Sequence, residues 1–447
     1  MADEPQPVSA LDRRFELTAR GTTARTEILA GVTTFLTMAY IVLVNPSILG
    51  STGMNMAAVA AATCLAAGFA SILMGMTANV PLALAPGMGL NAYFAFTVVG
   101  AMGVPWQVAL GCVFVSGVAF LVLTFAGIRQ LIIAAIPQHL FAAVAGGIGL
   151  FIGFIGLKNA GIVVSSPATS VTLGNLHEPG AVLAIFGLVL IAALAAWKVR
   201  GAILIGIVVT TLAGWATGLV AFKPEPYDLT AISQTAFKLD LAGVIGLGGS
   251  HGLGLFEILF VFLFVDLFDN IGTLVGVTRR AGLIDAEGRI PRLNRILFTD
   301  SIATIVGSLA GTSTVTSYVE SAAGVQAGGR TGLTAIVTGV LFLLAMFVAP
   351  YAQLVPTAAT APALILVGGL MMAPLADIAW DEPEIAIPAF LTVAMIPLTF
   401  SIANGLAFGL TAHALLKLLR GKVTTTDWLL LILAGLFVVR FVWLSAG

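Results

Sequence analysis

From Glu27 to Gly447 the chain is a succession of apolar stretches about 20 residues long, each sufficient to cross a bilayer as a helix. That recurrence constrains the fold more than any motif does. In hydrocarbon a helix satisfies its own backbone hydrogen bonds, and the short alternating segments of a membrane barrel are absent. Composition agrees, with 59% of the 447 residues hydrophobic and 9% charged, where a soluble domain carries roughly 25% charged residues. The expected fold is therefore an all-α polytopic membrane protein. Spans are expected at 27–50, 56–76, 80–99, 105–127, 139–157, 180–197, 201–221, 253–278, 294–311, 313–327, 331–350, 358–376, 384–400 and 401–419, with a further apolar stretch at 427–445. Met1 to Arg25 is polar and lacks the apolar core of a cleavable signal peptide. Cys64 and Cys112 lie inside apolar runs, with no spacing that indicates a disulfide or metal framework.

Basic residues orient the spans, because cytoplasmic loops carry the excess of Lys and Arg. Arg13, Arg14, Arg20 and Arg25 precede the first span, and Arg129, Lys198 and Arg200 follow the fourth and sixth. Arg279, Arg280, Arg289, Arg292 and Arg295 follow the eighth, Arg330 the tenth, and Lys417, Arg420 and Lys422 the fourteenth. Sixteen of the 20 Lys and Arg thus fall on one side, the exceptions being Lys158, Lys223, Lys238 and Arg440. Fourteen spans in the cell inner membrane, with the N-terminus cytoplasmic, are expected. The 427–445 stretch is either a further crossing or an interfacial helix.

The two halves resemble each other. VSGVAFL at 115–121 is matched by VTGVLFL at 337–343, a shift of 222 residues that also carries Gly147 to Gly369. The third and tenth segments (80–99 and 312–327) are both short, Gly/Pro- or Ser/Thr-rich, and polar in the middle. They stand seven spans apart, and an odd number of spans per repeat gives the repeats opposite orientations. Paired interrupted segments of this kind point to a binding site at the bilayer midplane between inverted repeats. A 7+7 inverted repeat is therefore expected.

Intramembrane carboxylates are costly, by about 2.5–3.5 kcal/mol at the bilayer centre on insertion scales, and mark function by default. The eighth span carries Glu257, Asp266, Asp269 and Asn270, with Asp266, Asp269 and Asn270 on one helical face. Glu320 sits in the tenth segment. Glu257 and Asp300, near span ends, read as structural acids that bond backbone or hydroxyls. Asp266 and Glu320 read as functional, able to exchange a proton or to accept N–H groups from a heterocycle. Asp269 is left open between direct contact and support. Pro86-Gly87-Met88-Gly89-Leu90-Asn91 breaks the third span and frees backbone groups at membrane depth, which only protein or a water-filled cavity can satisfy. Thr312, Ser313, Thr314, Thr316 and Ser317 add hydroxyls in the tenth, although a kinked helix with hydroxyls bonded back to its own carbonyls would look similar. His139, His177, His251 and His413 are dispersed without metal-ligand spacing. No nucleophile–base pair, metal motif or phosphate loop appears, so neither enzyme activity, a cofactor, a bound metal nor a nucleic-acid partner is expected. A channel would be expected to repeat a pore signature, which is also absent.

At this point the strings are specific enough to name a family. RTEILAGVTTFLTMAYIVLVNP (25–46), LAPGMGLNAYFAF (84–96), FLFVDLFDNIGTLVGV (262–277), GTSTVTSYVESAAGV (311–325) and IPAFLTVAMIPLTFSIANGLAFG (387–409) resemble the nucleobase–cation symporters that include xanthine/uracil permeases. Within them the chain is most similar to the adenine/guanine/hypoxanthine permease branch, over about residues 13–420. The resemblance implies a core domain (27–127 and 253–350) and a gate domain (128–221 and 351–420). These are flanked by a cytoplasmic N-terminus (1–26), an extracytoplasmic loop (222–252) and a C-terminal apolar tail (421–447) that extends beyond the usual fourteen spans. It implies strand-like pieces in spans 3 and 10, elevator-type transport of a purine nucleobase with a proton, and a homodimer in the lipid membrane. By position it implies Asp266 and Glu320 as acidic substrate ligands and candidate proton-coupling residues. Asn91, Asp269 and Tyr318 complete the implied site, with the Thr316 hydroxyl beside them. A uracil or xanthine permease, or an anion transporter of the same architecture, is the alternative; two acids disfavour an anion.

Overall fold

The computed structural model describes residues 10–126, 137–220, 228–250, 252–283, 290, 292–424 and 427–444. Arg129, Lys223, His251 and Arg289 lie outside the described residues, as do the side chains of Glu257, Arg279, Arg280 and Arg440. The chain is mostly helical. After a short amphipathic α1 (Ala10–Phe15), the first apolar segment is α2 (Ala24–Met38) and α3 (Ile41–Leu49), followed by α4 (Met56–Thr77). Next come strand β1 (Leu84–Pro86), α5 (Met88–Ala92) with a wide-pitched continuation at Tyr93–Ala101, and α6 (Trp106–Phe125). Helices α7 (Gln138–Asn159), α8 (Pro179–Ala196), α9 (Ala202–Ala216) and α10 (Leu241–Ser250) follow, with an exposed hairpin β2 (Val163–Ser166) and β3 (Ser170–Leu173) between α7 and α8. The second half runs α11 (Gly252–Arg280), α12 (Leu293–Ala310), β4 (Val315–Ser317), α13 (Ser321–Gln326) and α14 (Gly332–Ala345). It ends with α15 (Thr357–Met371), α16 (Pro383–Leu398), α17 (Ile402–Leu419) and α18 (Trp428–Leu444).

Among the described residues, seven helices are long and apolar enough to cross a membrane, and six further apolar helices are shorter, including Gly332–Ala345 and Trp428–Val439. The span expected at 27–50 is made of two helices, separated at Ala39-Tyr40. Within the next helix Pro46 lacks an N–H and crowds the carbonyl of Val42. Strands β1 and β4 occur at the strand-like pieces implied for spans 3 and 10, the hairpin β2–β3 qualifies the all-α expectation, and part of the 222–252 loop is the helix α10.

Helix starts follow the local sequence. Thr23, Asn55, Thr331 and Ser401 cap α2, α4, α14 and α17 by accepting a backbone N–H two or three residues on. Glu27, read only as the edge of a span, turns out to be completely buried. Its carboxylate accepts Arg330 N–H at 2.8 Å, Thr331 N–H at 3.2 Å and the Thr334 hydroxyl at 2.6 Å, so it closes the N-terminus of α14 where negative charge is favoured.

The basic residues of three segments gather at one end of the bundle. Arg20 donates to the carbonyls of Asn79 and Arg330, Arg292 to that of Ala78 and Arg295 to that of Thr77. Glu16 pairs with both Arg20 and Arg292 at 2.9 Å. The Arg20 guanidinium, with that of Arg292, holds its carboxyl below the usual carboxylate range.

Between α4 and α14 the seam is built of glycines. A Cβ on Gly75 or on Gly332 would collide with the other's carbonyl oxygen, and Gly68 and Gly339 oppose each other one helical repeat away. Lipid competes for apolar side chains, so close backbone approach supplies the attraction between such helices. Gly332→Val is expected to lower the melting temperature of the purified protein, the overpacking costing on the order of 1–3 kcal/mol. Gly435→Val, where nothing lies within 4 Å of a new Cβ, should leave it unchanged. Equal melting of the two variants would mean that the seam is not tight.

At the C-terminal end, Lys417 donates to Asp427 Oδ1 at 2.7 Å, and the Thr424 N–H and hydroxyl donate to Oδ2 at 2.7 Å. The Lys417 ammonium and these bonds hold the Asp427 carboxyl down at about 2. A folded value below the ordinary one of about 3.9 means the contribution is complete above about pH 4 and lost as pH falls toward 2. Asp427→Asn should therefore melt below wild type at pH 7, and the gap should narrow as melting is followed down toward pH 2.5. A gap that widens with acid would refute this coupling.

Candidate functional site

The third and tenth segments cross in the interior as a two-stranded antiparallel pair, with Leu84 opposite Ser317, Ala85 opposite Thr316 and Pro86 opposite Val315. Gly87 N–H donates to the Thr314 carbonyl at 2.9 Å and Tyr318 N–H to the Ala83 carbonyl at 3.0 Å, so the ladder runs on past both strand ends. The local sequence explains the break. Pro86-Gly87 cannot continue a helix smoothly, and Val315-Thr316 are β-branched. Both strands are fully buried, and the backbone groups freed from the helices are taken up by the facing strand and by nearby hydroxyls, Ser71 accepting the Leu84 N–H at 2.9 Å and Ser321 the Ala83 N–H at 3.0 Å.

Two carboxylates flank this crossing. A Cβ on Gly87 would lie 2.9 Å from Thr316 Cγ2 and 3.6 Å from Asp269 Oδ2, so the Asp269 carboxylate stands against the Gly87 backbone, where glycine leaves room for it. Glu320 follows β4, and its Oε1 accepts the Tyr40 phenol at 2.7 Å. The Tyr318 phenol donates to the Pro86 carbonyl at 2.5 Å and pins β4 to β1. Asp269, Asp300 and Glu320 lie near enough to interact electrostatically. Asp269 and Glu320 are half-buried, and Val319 between the strand and Glu320 is 53% exposed. Asp266, one turn earlier on the same face of α11, is completely buried, as are Asn270 and Asp300.

A polar network lies beside the crossing. Asn91 donates to Asn45 Oδ1 at 2.6 Å, and Asn45 donates to the Thr63 and Thr312 hydroxyls at 2.8 and 2.9 Å. Asn91 Oδ1, the hydroxyls of Ser313, Thr314, Thr316 and Ser317, and both amide atoms of Asn270 are buried with no hydrogen-bond partner among the described residues. Buried polar groups left open in this number are a reserve of donors and acceptors for a polar ligand or for water.

Of the residues singled out from sequence, Asp269, Glu320, Tyr318 and Thr316 meet at the strand crossing, and Asn91 joins through the adjacent network. Asp266 is completely buried, whereas Asp269 and Glu320 are half-buried. Tyr40, Asn45 and Asp300 were not assigned to a site from sequence. The available signal for the first two was a tyrosine and an asparagine within one apolar span beside Pro46. The dispersed histidines also changed: His139 and His413 meet with ring centroids 4.9 Å apart. Among the described residues, no group of three or more His, Cys, Asp and Glu could hold a metal ion.

Comparisons with known proteins place the chain. It is 48% identical over 436 residues to the adenine permease AdeP of Escherichia coli (strain K12), covering 98% of this chain and 97% of that one. It is 44% identical over 440 residues to the guanine/hypoxanthine permease PbuG of Bacillus subtilis (strain 168), covering 96% and 99%. In fold it is similar to the transmembrane domain of the cyanobacterial bicarbonate transporter BicA (TM-score 0.62, 16% identity, 86% of this chain and 97% of that one). SLC26A9 is also similar, with TM-score 0.64 at 11% identity, over 93% of this chain and 68% of that one. The profile of the permease family Xan_ur_permease matches residues 25–408. The chain therefore belongs to this permease family and is a multi-pass membrane protein.

Proposed function

We propose that the protein imports purine nucleobases across the inner membrane by proton symport, with an elevator-like shift of a core domain against a gate domain. The observation that carries this reading is the meeting of two half-buried acidic residues, Asp269 and Glu320, at a strand crossing lined by open hydroxyls and an open amide. A purine is planar and neutral, with donors and acceptors paired along its edges. Carboxylates accept its ring N–H and amino groups through charge-assisted hydrogen bonds, while hydroxyls, the Asn91 amide and backbone N–H groups serve its ring nitrogens and carbonyl. The relatives named as adenine and guanine/hypoxanthine permeases support a purine as cargo.

Asp266, Asp269, Glu320, Asn91, Tyr318 and Thr316 form the proposed site. Glu320 has a phenol rather than a cation as its hydrogen-bond partner, so a proton is the natural counter-charge when substrate binds. Coupling then follows by linkage: if Asp266 or Glu320 must be protonated for the base to bind, base and proton cross together. The Tyr40 hydroxyl orients Glu320 and ties this step to the break between α2 and α3.

A 7+7 inverted repeat in fourteen spans is supported by the packing. Gly117 in α6 lies against Thr304 and Ile305 of α12, while its sequence match Gly339 in α14 lies against Gly68 and Ile72 of α4. The Ser71 hydroxyl donates to the carbonyl of Leu84, which begins β1, and the Thr304 hydroxyl to that of Val315, which begins β4. On the gate side Gly149 and Gly368 face each other, whereas Gly369, paired with Gly147 by the sequence shift, meets nothing within 4 Å. The proposed core is 27–127 with 253–350, and the proposed gate is 128–221 with 351–420. A homodimer through the gate and a cytoplasmic N-terminus complete the reading, the latter supported by the gathering of Arg20, Arg292, Arg295 and Arg330 at one end.

Uptake of labelled adenine, guanine and hypoxanthine into cells lacking their own permeases tests the proposal. Wild-type uptake is expected to rise as external pH falls and to collapse with a protonophore. Asp266→Asn, Asp269→Asn and Glu320→Gln should each reduce uptake at least about tenfold, about 1.4 kcal/mol, at equal membrane abundance. Protonophore-insensitive, pH-independent purine uptake would overturn the coupling, and variants as active as wild type would overturn the site.

A further inference from the structure

A cleft of about 600 Å³ opens where the ends of α4, α6 and α12 meet α1, with Arg14, Met76, Phe125, Arg295 and Phe298 on its walls. Its two guanidiniums are exposed. Arg14 donates to the Met76 carbonyl and Arg295 to the Thr77 carbonyl at 3.4 Å, so both hold to the C-terminal turn of α4. The acids nearby in sequence are committed elsewhere: Glu16 to Arg20 and Arg292 at 2.9 Å, and Asp12 to the Thr18 N–H and hydroxyl at 2.7 and 2.8 Å. A guanidinium carries five N–H donors in a planar fork suited to phosphate oxygens, and a single carbonyl bond leaves most of them available.

The other wall is apolar. Phe125 is 75% exposed and meets Phe298 edge to face at 5.9 Å. One turn earlier on α6, Val122 is 60% exposed, which continues the apolar surface along the outside of the bundle. Basic groups at the ends of the membrane helices and aromatic rings beside them therefore share one cleft. A free inorganic anion would use the charge and leave the aromatic wall unused. A phospholipid uses both, with its phosphate at the arginines and its first acyl carbons on the rings.

We propose that this cleft is a binding site for an anionic phospholipid, whose phosphate bridges Arg14 and Arg295 and so ties α1 to α12 across the end of α4. Attraction of basic residues to an anionic leaflet supplies the charge term, and the phenylalanines supply the apolar one.

Native mass spectrometry of the full-length detergent-solubilised protein, titrated with phosphatidylglycerol or phosphatidylcholine, tests it. The wild type is expected to retain one phosphatidylglycerol at least about tenfold more readily than phosphatidylcholine. Arg14→Gln/Arg295→Gln should lose that preference, whereas Lys198→Gln/Lys238→Gln, with the same change in charge, should keep it. Arg14→Lys/Arg295→Lys retains the charge without the fork and is expected to fall between them, and it serves if the glutamine pair does not remain monodisperse. Phe125→Ala/Phe298→Ala should weaken retention of the lipid. Equal retention by wild type and both arginine variants would overturn the site. Equal loss in the Lys198/Lys238 variant would reduce it to general charge attraction and overturn it as well. Displacement of the lipid by millimolar inorganic phosphate would replace the lipid with a simple anion.

Discussion

The antiparallel pairing of Leu84–Pro86 with Val315–Ser317 is the contact on which the rest of the structure depends. Two helices are interrupted deep in an apolar bundle, and backbone polar groups released there have no water to bond. Each interruption supplies partners for the other, and the Ser71 and Thr304 hydroxyls serve the strand starts. The consequence is a short buried ladder that brings together residues from both halves of the chain, with Tyr318 locked to Pro86 and Gly87 to Thr314. The carboxylates of Asp269 and Glu320 can converge only because the two breaks do.

Helices around the crossing are held by two kinds of contact. Glycine seams such as Gly75 with Gly332 allow backbones to touch, which suits a medium in which apolar side chains gain little by leaving lipid. Buried polar groups then fix register. Glu27 closes the start of α14, and Asn79 accepts Gly332 N–H at 2.7 Å while donating to the Phe15 carbonyl at 3.0 Å. These bonds anchor α14 at one end of the bundle, and the carbonyls of Thr77 and Ala78, just before Asn79 at the end of α4, receive Arg295 and Arg292.

The site differs in character from this scaffold. At the anchor points Glu27 and Asn79 bond protein groups, whereas at the crossing Ser313, Thr314, Thr316, Ser317, Asn91 and Asn270 keep hydrogen-bonding atoms open among the described residues. On the proposed function these open groups serve the cargo, since groups that bind and release a ligand cannot all be satisfied by the protein itself. Glu320 illustrates the balance: its carboxylate accepts the Tyr40 phenol, and the residue is only half-buried.

Much of this was legible in the sequence. Apolar length required membrane helices, the Pro86-Gly87 break and the Ser/Thr-rich tenth segment marked the interruptions, and the three-residue spacing of Asp266 and Asp269 placed both on one helical face. Those signals are local, set by hydropathy, backbone stereochemistry and helical pitch. Tertiary structure alone decided which strand pairs with which, that Tyr40 meets Glu320 and Asn45 meets Asn91, and that Glu27 is a buried cap. It also decided that His139 lies against His413, and that Asp269 rather than Asp266 keeps surface at the crossing. Contacts between residues hundreds of positions apart depend on how helices cross and how closely their glycines allow them to approach. No periodicity along the chain encodes that geometry.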